Sequence, residues 1–203
     1  MSDITMINIV EYPNLYRHLS TLKETSKDDH DGSVCFMTES TIPAVNFDAV
    51  KTEYVNNLSI SNIPKSNDAL VIDSNEQATF IEFKNGCMDT KKQHGVRKKI
   101  YDSMLIFADI TGQGISSTRT HMDYILVYNE EKNIEQCTDV TVDASVAIQP
   151  SESRDIIGKK ITQMGGKNFI KFGLEVFKNY CFRNVYTYTP SEFESNYVQT
   201  YQA

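Results

Sequence analysis

The stretch that most constrains this chain runs from Asn67 to Asn85, where two apolar runs, Ala69–Ile72 and Ala78–Phe83, flank a polar turn. The pattern reads as a β-hairpin, yet Asp68, Glu82 and Lys84 put charge where a core strand should be apolar. A turn centred on Asn75 sets position 68 opposite position 82. Directly opposed residues of an antiparallel pair have Cβ atoms about 4.5–5.5 Å apart, and Glu82 and Lys84, two apart, share a face. One face of the hairpin is therefore expected to present two carboxylates and an ammonium.

Two facing carboxylates repel, and burial without a cation costs several kcal/mol or drives the pKa upward. A divalent cation resolves the conflict: Mg²⁺ prefers oxygen ligands and is commonly held by one or two carboxylates, with phosphate oxygens and water filling the octahedron. Lys84 on the same face could act on a water nucleophile or on charge developing at a phosphate. The plainer alternative is an exposed salt bridge of Lys84 with Glu82 or Asp68, worth about 0–1 kcal/mol.

The flanking pattern places this hairpin in an α/β context. Pro13 and the spacing of Leu15, Leu19 and Leu22 predict a first helix over 13–25, followed by a solvated acidic loop and a short strand from Ser33 to Met37. Asn46 caps a predicted helix from Phe47 to Leu58 with a Phe47, Val50, Tyr54, Leu58 stripe, and Glu53 stands beside that stripe. A short strand is expected over Leu58–Ile63. After the hairpin, Val96, Ile100, Met104 and Phe107 recur at helical spacing and predict a long helix from about Thr90 to Ile110. Its start is basic: Lys91, Lys92, Arg97, Lys98 and Lys99. Gly112–Thr120 reads as a loop, and His121–Tyr128 as a buried strand parallel to the hairpin's second strand, since a helix joins them. Further on, the pattern predicts a strand over 140–148, helices over 151–164 and 169–180, a strand over 183–189, and a final helix from Pro190 to about Tyr197.

At 203 residues the chain suits one domain: an N-terminal part (1–45), a core (46–128) and a C-terminal α/β extension (129–203) packed on it. The net charge of −7 argues against a surface coated in positive charge. Its distribution is uneven, with 14 acidic against 6 basic side chains in residues 1–90 and 13 against 14 beyond, so a local basic groove is compatible with an acidic chain. Cys35, Cys87, Cys137 and Cys181 are scattered and read as reduced core residues, and the N-terminus lacks the pattern of a signal peptide. No apolar run approaches a membrane span. These features give a cytoplasmic expectation.

Asp68, followed by the Ile81-Glu82-Phe83-Lys84 run between a preceding helix and a following basic helix, resembles the PD-(D/E)XK nuclease superfamily over roughly Asn46 to Tyr128. Asn67 stands where the motif's namesake has Pro. The resemblance implies a restriction-endonuclease-like αβββαβ core with a central mixed β-sheet flanked by helices, and a Mg²⁺- or Mn²⁺-dependent phosphodiester hydrolase. Carried over by position, Asp68 and Glu82 would bind the metal and Lys84 would assist the attacking water. Glu53 would be an accessory carboxylate from the preceding helix, and Gln93 a polar residue early in the following one. Lys91, Lys92, Arg97 and Lys98 would contact nucleic-acid phosphates, although Lys98 and Lys99 taken singly also fit a solvated helix face. DNA stands ahead of RNA as substrate. The alternatives are an RNA-cleaving toxin or effector acting on tRNA, and a catalytically silent relative that binds nucleic acid or protein. The resemblance also admits a homodimer and, in a toxin setting, an inhibitor or immunity protein.

Overall fold

The computed structural model describes residues 9–29, 32, 34–59, 61–73, 77–133 and 169–201. Strands β1 (Leu19–Thr21), β4 (Pro43–Asn46), β5 (Ala69–Ile72), β6 (Ala78–Lys84), β7 (Met122–Tyr128) and β8 (Asn184–Tyr188) form one mixed sheet in that spatial order. The first four strands are antiparallel neighbours, and β6, β7 and β8 run parallel. A separate two-stranded ribbon pairs β2 (Lys27–Asp28) with β3 (Cys35–Phe36), shorter than the strand predicted over 33–37.

Side-chain alternation divides the core into two layers. From β6, Ala78 and Phe80 join Leu126, Tyr124 and the buried faces of α3 (Phe47–Leu58) and α4 (Thr90–Thr111). Ile81 and Phe83 turn to the opposite layer with Ala69, Val71, Ile125, Val127, Phe193 and Val198. Helix α3 carries the expected cap, with Asn46 Oδ1 accepting from Ala49 N at 3.0 Å, and α4 is capped by Asp89, whose Oδ1 accepts from Lys92 N at 2.7 Å. Helix α4 ends at Gly112, whose φ of 71° lets its N–H reach the Ala108 carbonyl.

Several expectations are corrected. The segment 13–25 is not one helix but α1 (Pro13–Tyr16), β1 and α2 (Leu22–Thr25). Backbone pairing of Leu19–Thr21 with β4 overrides the leucine spacing, and Leu19 is exposed while Leu15 and Leu22 are fully buried. No strand forms over 58–63 among the described residues, because Ser59 closes α3 at φ 53° and 61–68 run without regular pairing. The extra antiparallel strand is β4, which precedes α3, so the order is β4-α3-β5-β6-α4-β7 rather than αβββαβ. The expected loop 112–120 contains helix α5 (Ile115–His121), anchored where Thr118 Oγ1 donates to the Cys181 carbonyl at 2.8 Å. The expected helix over 169–180 is only a 3₁₀ turn at Glu175–Phe177. Left-handed backbone at Phe172, Gly173 and Asn179 interrupts it, while Leu174 and Phe177 still reach the core. Cys35 is exposed rather than in the core, and Cys181 is buried. The strand expected over 140–148, the helix over 151–164 and Cys137 lie outside the described residues. The last helix opens with a capping box between Thr189 and Glu192 and continues beyond Tyr197 to Tyr201. Among the described residues, no helix is long and apolar enough to cross a membrane.

Candidate functional site

The hairpin register is the one the charge pattern implies. Ala69 pairs with Ile81 and Leu70 with Phe80, which puts Asp68 opposite Glu82 just outside the last ladder pair. Phe83 N donates to Asp68 Oδ2 at 2.7 Å, tying that carboxylate to β6 and leaving Oδ1 for other partners. Glu82 is fully buried and points into the layer shared with α4, while Lys84, at the end of the same strand, keeps 26% of its side chain exposed.

A fourth charge completes the cluster. Lys99 Nζ lies 2.9 Å from Asp68 Oδ1 and 2.7 and 2.9 Å from the two Glu82 oxygens, and Lys84 Nζ lies 2.5 Å from Glu82 Oε1. Two carboxylates and two ammoniums thus converge, with zero formal charge in total. Lys99, which taken singly fits a solvated helix face in the sequence, instead turns into the cluster. The overlooked signal was its spacing, three after Val96 and four before Ser103, both on the buried stripe of α4. The helix is also tied to the hairpin entry, since Asn67 N donates to Ser103 Oγ at 2.8 Å.

The electrostatics follow from this crowding. Burial, then the Glu82 charge, push Asp68 up to about 6, although Lys99, Lys84 and the Phe83 N–H all pull the other way. Burial alone would lower the pKa of Lys99, but Glu82 and Asp68 outweigh it and hold the ammonium above its ordinary value. The Tyr124 phenol is raised by burial and then by Glu82 and Asp68, and its Oη is buried without a hydrogen-bond partner among the described residues.

Not every expected residue reaches this cluster. Glu53 instead accepts from Arg17 Nη1 at 2.7 Å and pairs with His18 Nε2 at 2.6 Å. It lines a concavity with Asn14, Val50, Tyr54 and Asp109 that contains none of Asp68, Glu82, Lys84 or Lys99. Gln93 turns back, its Nε2 donating to the Met88 carbonyl at 2.9 Å. Lys91 and Lys92 are exposed on the first turn of α4, Lys98 pairs with Asp102 at 2.7 Å, and Arg97 Nη2 donates to the Gly173 carbonyl at 3.3 Å. The segment around Gly173 also brings Lys171 beside Tyr128, the residue in register with Lys84.

Asp68 and Glu82 are the residues of the cluster that could hold a hard divalent cation. Asp68 Oδ1 and both Glu82 oxygens already reach one common cation, the Lys99 ammonium. Glu82 Oε1 sits at ion-pair distance from both lysines yet accepts no aligned hydrogen bond, so its lone pairs are incompletely used. Among the described residues no three His, Cys, Asp or Glu side chains converge, so the protein supplies two carboxylates, a number Mg²⁺ commonly accepts. Comparison of the chain with protein-family models, curated proteins and solved structures finds no match.

Proposed function

We propose that the chain is a metal-dependent nuclease of the PD-(D/E)XK type, hydrolysing phosphodiester bonds, with DNA ahead of RNA as substrate. One observation carries this reading: Asp68 Oδ1 and Glu82, opposed across the hairpin, converge on a single cation position with Lys84 beside it. Asp68 and Glu82 would hold Mg²⁺ or Mn²⁺, which supplies Lewis-acid stabilisation of charge developing on a phosphate oxygen. The Phe83 N–H holds Asp68 Oδ2, so that Oδ1 is the oxygen turned to the cation position shared with Glu82. Lys84, two residues along the same strand face and partly exposed, is placed to orient a water nucleophile or to accept the charge that grows on the phosphate. The exposed Lys91 and Lys92 on the next helix suit backbone phosphates. The restriction-endonuclease-like core belongs to the same proposal, in a form whose extra strand precedes the first core helix.

A second reading has an observation of its own. The four charges sum to zero without any added ion, as in a buried ion-pair cluster that serves packing or binding alone. The two readings separate when purified protein is incubated with supercoiled plasmid and with tRNA under Mg²⁺, Mn²⁺ or EDTA, beside Glu82→Ala and Lys84→Ala. Cleavage that needs the metal and disappears in both variants supports the nuclease. Cleavage that survives both substitutions, or none under any metal, overturns it.

A further inference from the structure

Resting on the metal-site reading above, we propose that Lys99 is an exchangeable counter-ion: its ammonium occupies the cation position between Asp68 and Glu82, and a divalent ion binds there by displacing it. Nζ reaches Asp68 Oδ1 at 2.9 Å and the Glu82 oxygens at 2.7 and 2.9 Å, so the point on which the two carboxylates converge is the point the ammonium holds. Among the described residues, Lys84 forms its ion pair with Glu82 Oε1 and none with Asp68. The two lysines therefore divide the work. Lys84 can stay in place when a cation arrives, whereas Lys99 cannot, since Mg²⁺ sits at about 2.1 Å from its ligands and tolerates no ammonium in the same gap.

Lys99 is equipped to leave. It extends from the side of a helix on a flexible four-carbon stem and keeps 18% exposure, so its head can swing outward while its methylenes stay against α4. The displaced ammonium then stands beside the site without a carboxylate partner, and the nearest anion to satisfy it is a substrate phosphate. Metal and nucleic acid should consequently bind with positive coupling that runs through this side chain. With neither bound, the same lysine keeps a fully buried Glu82 compensated.

The test measures Mn²⁺ binding to the full chain by calorimetry and by electron paramagnetic resonance, with metal alone and then with a phosphorothioate oligonucleotide. Lys99→Met keeps the stem volume and removes the charge, and should bind Mn²⁺ about tenfold more tightly than the parent when no nucleic acid is present. Lys98→Met removes the same charge one position away, where the ammonium pairs with Asp102, and should shift the affinity less than about twofold. Lys99→Arg, whose planar fork can clamp both carboxylates, should bind Mn²⁺ no more tightly than the parent. The oligonucleotide should tighten Mn²⁺ binding in the parent and lose that effect in Lys99→Met. If Lys99→Met folds poorly, Lys99→Gln, which removes the charge but keeps a polar head, should likewise bind Mn²⁺ more tightly than the parent, and equal or weaker binding by it overturns the exchange. Equal or weaker Mn²⁺ binding by Lys99→Met, or tighter binding by Lys99→Arg, overturns the exchange while leaving a Mn²⁺-binding parent as a nuclease candidate. Absence of Mn²⁺ binding in parent and variants alike overturns both.

Discussion

Asp68 and Glu82 carry the same charge 14 residues apart but are buried unequally, and their substitutions should differ in sign. Glu82 is fully buried with two ammoniums against it. Replacing it by Ala leaves Lys84 and Lys99 facing each other and should cost about 3 kcal/mol of stability, read from denaturant midpoints in EDTA. Asp68 is the opposite case. Its folded pKa of about 6 lies above the ordinary 3.8, so the folded state binds the proton more tightly and stability falls as pH rises through that window. Asp68→Asn removes the penalty. In EDTA its melting temperature should exceed the parent's at pH 8, with the difference shrinking as pH falls towards 4. A lower melting temperature at pH 8 would show that the Lys99 contact outweighs the repulsion from Glu82. Gly173→Ala is a third residue-scale test: the position has φ 64°, and an added Cβ would meet the Arg97 guanidinium, so thermal stability should fall by about 1 kcal/mol or more.

At the scale of elements, the hairpin holds the carboxylates in register and α4 delivers the cation. Asp73 N donates to the Gln77 carbonyl at 3.0 Å and Gln77 N to Asp73 Oδ1 at 2.9 Å, closing the hairpin at its turn end. A one-residue insertion within β6, between Ala78 and Thr79, would exchange the faces of the residues beyond it, sending Glu82 into the layer of Phe193 and Phe83 towards α4. Such a variant should fail to give soluble folded protein, whereas a Gly inserted at Gly112–Gly114 should be tolerated, as circular dichroism would show. Helix α4, the hairpin register and the parallel strand β7 were all legible in the sequence, because each is a long or strongly patterned segment whose burial agrees with its period. The first helix, the strand over 58–63 and the helix over 169–180 were misread where tertiary pairing or left-handed backbone overruled local spacing. Of the site, Asp68, Glu82 and Lys84 were readable as charges out of pattern. Lys99 hid inside a basic run, because composition masks a single position whose helical phase faces the core.

For the molecule as a whole, the remaining strand and the last helix finish the sheet and close its second face. Arg183 clamps Asp123 with Nε at 3.0 Å and Nη2 at 2.8 Å and reaches Gln77 with Nη1 at 2.6 Å, so the start of β8 is locked to β7 and to the hairpin. None of these residues touches the charge cluster. The contacts that build the cluster span only 31 positions from Asp68 to Lys99 and 17 from Glu82 to Lys99. A unit so local closes with little loop entropy, and folding kinetics reward such contacts. The charged centre should therefore assemble early, before β8 docks. In pulse-labelled hydrogen exchange, amides of β5, β6 and α4 should gain protection ahead of those in β8 and the final helix.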